Sequence, residues 1–243
     1  LNNLANLQRA KNEYKKAEKS FEEALQLYQK LAKVNPHVYL PYVALTLNNL
    51  AVLQRAKSEY KKAEKSYVEA LQIRRKLAKV NPRTYLPYVA NTLNNLAVLQ
   101  RAKNEYKKAE KSYVEALQIR RKLAEVNPKA FLPDVAMILN NLANLQRAKN
   151  EYKKAESSFE EALQIRLEFA QKIPRAYEIP LANTYLCLSN LYRYNLVNKE
   201  LSLKNAQKAH DLYSKYQEVV PYALKWGKVA FENIEYWEKK PKR

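Results

Sequence analysis

Leu47-Asn48-Asn49-Leu50-Ala51 is one of four copies of the same five-residue word, which begins at Leu1, Leu47, Leu93 and Leu139, so the chain repeats every 46 residues. The blocks that start at Leu47 and Leu93 differ at only eight positions, and a degenerate fifth block is recognisable from Tyr185, Leu188, Ser189 and Leu191. A unit this short cannot bury its own apolar face and must stack on its neighbours. The 243 residues are therefore read as one elongated array, whose function belongs to columns of equivalent residues.

Within one block the spacing is helical. Leu47, Leu50, Ala51 and Gln54 recur at i, i+3, i+4 and i+7, and Pro41 suits the first turn of a helix, where its missing N–H costs nothing. This predicts first helices near residues 1–11, 41–57, 87–103, 133–149 and 179–194. Ser58, or Asn12, Asn104 and Asn150 at the equivalent places, is expected to make a tight turn and cap the next helix. A second stripe through Tyr60, Ala63, Tyr67, Ala70, Leu71 and Leu77 predicts a second helix that stops at Asn81-Pro82. One glycine in the whole chain, Gly227, and no strand-like alternation leave the fold all-α.

Ala51, Ala63 and Ala70, with Tyr60 and Tyr67 between them, resemble the tetratricopeptide repeat signature across nearly the whole chain. The wording Pro-x-Val-Ala-x-Thr-Leu-Asn-Asn-Leu-Ala is especially similar to kinesin light chain repeats. The resemblance implies an α-α superhelix, a solenoid of paired antiparallel helices. The family unit is roughly 34 residues, so the extra residues are placed in a longer second helix and in the connection from Asn81 to Pro87. The division expected is an array of helix pairs over 1–220 and a capping helix with a basic tail over 221–243. In the last block His210 stands where Phe21, Tyr67, Tyr113 and Phe159 stand in the others, and the aromatic helix carrying Tyr222, Trp226, Phe231, Tyr236 and Trp237 reads as the cap.

Forty-four Lys and Arg against 24 Asp and Glu leave a net charge of +20, which favours acidic partners, anionic surfaces or nucleic acid. The single Cys187 excludes an internal disulfide and a cysteine-based metal cluster. No apolar run is long enough to span a membrane and the start lacks a secretory pattern. The chain reads as a soluble fragment or processed product, with the cytoplasm favoured. There is no phosphate-binding Gly-rich loop and no His-x-x-x-His or Cys-x-x-Cys pair, so neither an enzyme nor a cofactor is expected.

The binding columns are expected on the first helices. Asn48, Val52 and Arg55 follow at i, i+4 and i+7 on the face turned away from Leu50 and Ala51, which in tetratricopeptide arrays lines the concave groove. The candidate site residues are Asn48, Asn49, Arg55, Asn94, Asn95, Arg101, Asn140, Asn141, Arg147 and Arg193. An Asn amide both donates and accepts, so it can hold a peptide backbone of any sequence, and Arg offers a planar fork for a carboxylate or phosphate. The alternative for the same residues is that Asn braces neighbouring helices and Arg solvates a helix end. Arg74-Arg75-Lys76 and Arg120-Arg121-Lys122 on the second helices are read as a solvated convex face.

The function expected is a scaffold holding an extended acidic protein segment; the alternatives are nucleic-acid binding by a basic solenoid and a peptide-sensing regulator. Membrane insertion is not expected. Leu1, Leu4 and Leu7 lack a preceding repeat, which predicts weak self-association at that end.

Overall fold

The computed structural model describes residues 1–239, all of whose regular structure is helical; the basic tail at 240–243 lies outside the described residues. The helices are α1 (Asn2–Ala10), α2 (Tyr14–Val34), α3 (Pro36–Ala56), α4 (Tyr60–Val80), α5 (Pro82–Ala102), α6 (Tyr106–Val126), α7 (Pro128–Ala148), α8 (Tyr152–Lys172), α9 (Pro174–Tyr194), α10 (Lys199–Tyr216) and α11 (Ala223–Glu238). They fall into two compact units, one over residues 1–123 and one from 124 onward.

The first helices begin five residues earlier than expected, at Pro36, Pro82, Pro128 and Pro174. Asn-Pro is both a stop and a start. The side chains of Asn35, Asn81 and Asn127 accept hydrogen bonds from the backbone N–H of Val38, Thr84 and Ala130, at 3.4, 3.1 and 3.2 Å. Each such Asn is an N-cap followed by Pro at the first helical position. Pro41, taken for a helix start, lies inside α3. Its missing N–H strands only the His37 carbonyl, in the exposed first turn, where the loss is cheapest. The long unit is thus built from two extended helices joined by a single-residue Asn81 link, not from a longer connection.

The turns inside a pair also differ from expectation. Asn12, Ser58, Asn104 and Asn150 take φ of 60–61°, the left-handed region that Asn tolerates better than most residues. They are turn residues and not caps. The N-cap positions are Glu13, Glu59 and Glu151, none of which caps through its side chain.

In the first unit each pair is locked by the same two devices. Ala63 and Ala70 bury completely beside Tyr67, and Ala109 and Ala116 beside Tyr113, so small residues let the backbones close while an aromatic fills the remaining space. The Ser66 and Ser112 hydroxyls donate to the side-chain oxygens of Gln54 and Gln100 at 3.0 and 2.9 Å. The carbonyls of those glutamines accept from the turn residues Glu59 and Glu105 at 2.8 Å. Leu50 and Leu53 pack on Phe21 and Ala17 of the preceding pair.

The second unit repeats the pattern through Ala155, Phe159 and Ala162, then changes. His210 is half-buried, not the core aromatic its position suggested; the buried stripe of α10 runs instead through Ser202, Ala206, Ala209 and Tyr213, so that Ala206 stands where the aromatic stands in the other pairs and Tyr213 where Arg74 does. The imidazole instead faces α11, with Nδ1 3.1 Å from the Gly227 carbonyl and the ring 5.4 Å from that of Phe231. Gly227 lets α11 lie close against Tyr213 of α10, since a Cβ there would stand 3.3 Å from Tyr213 Cβ.

Candidate functional site

The paired asparagines of the first unit are interlocked. Asn48 is buried and donates to the Asn49 side chain at 3.5 Å, while Asn95, from the next pair, donates to the Asn48 side chain at 3.4 Å. Asn94 is buried and Asn49 and Asn95 are half-buried. These amides therefore brace adjacent first helices, and what remains for a ligand is on the half-buried members. In the second unit Asn140 and Asn141 are half-buried, and Asn140 Oδ1 is buried without a partner.

The arginine column is differently placed. Arg9, Arg55, Arg101 and Arg147 are half-buried, and none forms an ion pair with a carboxylate among the described residues. The lysines two residues after three of them do find acids. Lys57 lies 2.6 Å from Glu18 and 2.7 Å from Glu59, Lys103 lies 2.6 Å from Glu105, and Lys149 lies 2.8 Å from Glu151. At these three turns one cation is neutralised and the neighbouring guanidinium is left without a carboxylate partner among the described residues.

Buried donors accompany it. The Tyr113 hydroxyl is buried with no hydrogen-bond partner among the described residues, and the buried Tyr67 hydroxyl has Arg55 as its polar neighbour. Burial pushes the Tyr67 hydroxyl up to about 12 against the pull of Arg55 and Arg9, and the Tyr113 hydroxyl up to about 12 against Arg101 and Arg55. Each hydroxyl thus lies within reach of two guanidiniums. Arg Nε–H can only donate, whereas a phenol oxygen can accept from a guanidinium and still donate its own proton. Phe21 and Phe159 at the equivalent positions confine the hydroxyls to the two near-identical repeats.

Arg193 already has acceptors. Its Nη1 donates to Asn233 Oδ1 at 2.5 Å and to the Glu232 carbonyl at 3.3 Å, and its Cζ lies 4.1 Å from the Tyr236 ring centroid. Asn233 donates to Asn190 at 2.8 Å and to Ser189 at 3.0 Å. Helix α11 therefore occupies the side of α9 that carries Arg193.

The second-helix arginines correct the sequence reading. Arg74 and Arg120 are 4% and 3% exposed and do not belong to a solvated face. Arg74 Nη1 donates to the Tyr88 carbonyl at 3.0 Å and to the Thr92 hydroxyl. Arg120 Nη2 donates to the Pro87 carbonyl at 3.0 Å and to Asn91 Oδ1 at 2.6 Å. The signal was present: Ala63, Tyr67, Ala70 and Arg74 follow at i, i+4, i+7 and i+11, one helical stripe. Cys187 packs beside the cluster around Phe159 and Leu188, and burial pushes its thiol up. Among the described residues no group of side chains could hold a metal ion, and no helix is long and apolar enough to cross a membrane.

Paired helices with small residues at the crossings define a helical-repeat protein, and the chain belongs to the tetratricopeptide repeat family, whose models match residues 42–122 and residues 1–37 with 135–168. Comparison with curated protein sequences gave no match. Among solved structures the chain is similar to BtubC (BKLC) from P. vanneervenii, at 21% identity over 95% of each chain and a TM-score of 0.63. It is also similar to a putative kinesin light chain of Podosopora anserina with nearly identical TPR-like repeats, at 16% identity over 89% of this chain and 94% of that one, TM-score 0.68. The apo form of RapI matches at 15% identity over 98% of this chain and 83% of that one, with a TM-score of 0.61. At these identities the likeness concerns the fold.

Proposed function

We propose that this protein is a non-catalytic interaction scaffold that holds an extended acidic protein segment against its first helices. In the first unit the segment is held by Arg55 and Arg101, with the half-buried Asn49 and Asn95 beside them and Asn48 and Asn94 fixing the amide ladder behind. Asn140, Asn141 and Arg147 offer the same groups in the second unit, whereas Arg193 is assigned to anchoring α11.

One observation carries this reading: the arginines of the column have no carboxylate while the lysines beside them do. A half-buried guanidinium is worth more to an incoming acid than an exposed one, because less water screens it. Packed helices lie about 8–10 Å apart, near the rise of three extended residues at roughly 3.3 Å each, so acids at every third position match the column.

The test is calorimetric titration of a synthetic segment with Glu at every third position against its Gln counterpart. The Glu form should bind about 10- to 100-fold tighter, a charge-assisted contact or two. Equal affinities would overturn the reading. Nucleic acid is the competing ligand for a chain of charge +20; its affinity would fall by about 0.7–0.9 log units per released counterion for each tenfold rise in salt.

A further inference from the structure

Between the beginnings of α3 and α5, with α4 beneath, lies a cavity of about 280 Å³ lined by Pro41, Tyr42, Leu45, Arg74, Leu77 and Tyr88 among others. Its walls are prolyl, aromatic and aliphatic, and its floor is a cation. Arg74 is 4% exposed, with its guanidinium carbon 5.5 Å from the Tyr88 ring centroid. Its hydrogen bonds, both from Nη1, go to a carbonyl and a hydroxyl, which are neutral; Nε and Nη2 have no acceptor among the described residues. No carboxylate lines the cavity. Burial of a guanidinium without its anion is costly, and burial pulls Arg74 down to about 10 against the opposing pull of Tyr88.

The second unit contains the same cavity two repeats on. Pro133, Met137, Arg166, Phe169, Tyr177 and Pro180 line about 210 Å³. Arg166 again donates from Nη1 to a carbonyl, that of Pro180 at 2.7 Å, and to a hydroxyl, that of Thr184. One wall differs: Asp134 stands where Tyr42 stands in the first unit. One copy therefore carries a carboxylate in its wall and the other carries none.

We propose that the cavity of the first unit binds a carboxylate borne on a single apolar body of aromatic-ring size, the carboxylate meeting Arg74 and the body lying against Tyr42, Tyr88 and Leu77. The volume is below the roughly 300–1,000 Å³ of drug-sized sites, which suits one ring or one side chain. A buried fork with free N–H groups favours a carboxylate over a neutral amide. Such a carboxylate comes either from a free aromatic acid or from a polypeptide that ends in an aromatic residue. The cavity uses none of the arginines of the first-helix column, so its failure leaves the scaffold reading untouched.

The test uses the full chain with ¹³C-methyl leucine. Phenylacetate and phenylacetamide, and acetyl-Gly-Phe as the free acid and as its C-terminal amide, are titrated while the Leu45 and Leu77 methyl signals are followed. Each acid should shift them at a concentration about tenfold lower than its amide. The tighter of the two acids identifies the source. Arg74→Gln should bring acids and amides to within about twofold of each other. Should that variant fail to fold, Tyr42→Asp, which copies the second unit's wall at an exposed position, should abolish acid binding with helix content unchanged. Acids and amides that bind alike, no shift with any acid, or a preference that survives either folded variant would overturn the proposal.

Discussion

Arg101 in α5 and Arg193 in α9 belong to one column of the repeat and live in different surroundings. Arg193 holds a carbonyl, an amide oxygen and an aromatic ring, all supplied by α11. Arg101 has no carboxylate and sits beside a tyrosine hydroxyl that has no partner. The difference teaches what the column does when a chain lies over it: the guanidinium takes acceptors from backbone and side chain together. Helix α11 is an internal example of the occupancy proposed for the rest of the column.

The apolar column permits the same comparison, with the largest expected effect. Leu50 is 5% exposed and packs on α2, whereas Leu4, the same letter of the same word, is 48% exposed. Leu50→Ala should cost about 2–5 kcal/mol, transfer and cavity together. Leu4→Ala should stay within about 0.5 kcal/mol, since Leu4 is exposed together with Leu1 and Leu7. Denaturant unfolding of both variants checks this, and similar costs would mean that Leu4 is covered.

Arg193→Ala removes bonds to α11 that involve a charge and should cost about 1.5–3 kcal/mol, with the loss seen first as faster amide exchange in α11. Arg101→Ala should leave the unfolding midpoint within about 0.5 kcal/mol of the parent. A destabilisation by Arg101→Ala as large as that of Arg193→Ala would make the whole column structural.

Much of this was legible in the sequence. The Ala63, Tyr67, Ala70 stripe dictated paired helices, because only small residues at those places allow the backbones to close around one large ring. Pro41 suits a helix start by its residue type, but Asn35-Pro36, a cap followed by Pro, is the stronger start and the one the chain uses. A proline is tolerated where the carbonyl it strands faces water, and exposure is not written in the chain. Arg74 was misjudged through its basic neighbours Arg75 and Lys76; its own spacing put it on the buried stripe. The interlock of Asn48 with Asn95 was one of two open readings, and only the approach of neighbouring first helices decides how much of each amide is left for a ligand. Whether Arg101 has an acid could not be read either, since Glu105 close by in sequence and Glu64 from the preceding repeat both pair with Lys103 instead.

The central claim is that Arg101 binds an acid carried by a partner. Calorimetry of the Glu-bearing segment with Arg101→Ala, set against a double variant of the exposed Lys61 and Lys65 to Ala, tests it most directly. The column account predicts a loss of about 10- to 150-fold for Arg101→Ala at every salt concentration. The lysine pair removes twice the charge and should cost a few-fold only, an effect that fades as salt rises. If the lysine pair costs as much as Arg101 at all salt concentrations, the column is not the site and a diffuse basic surface takes its place.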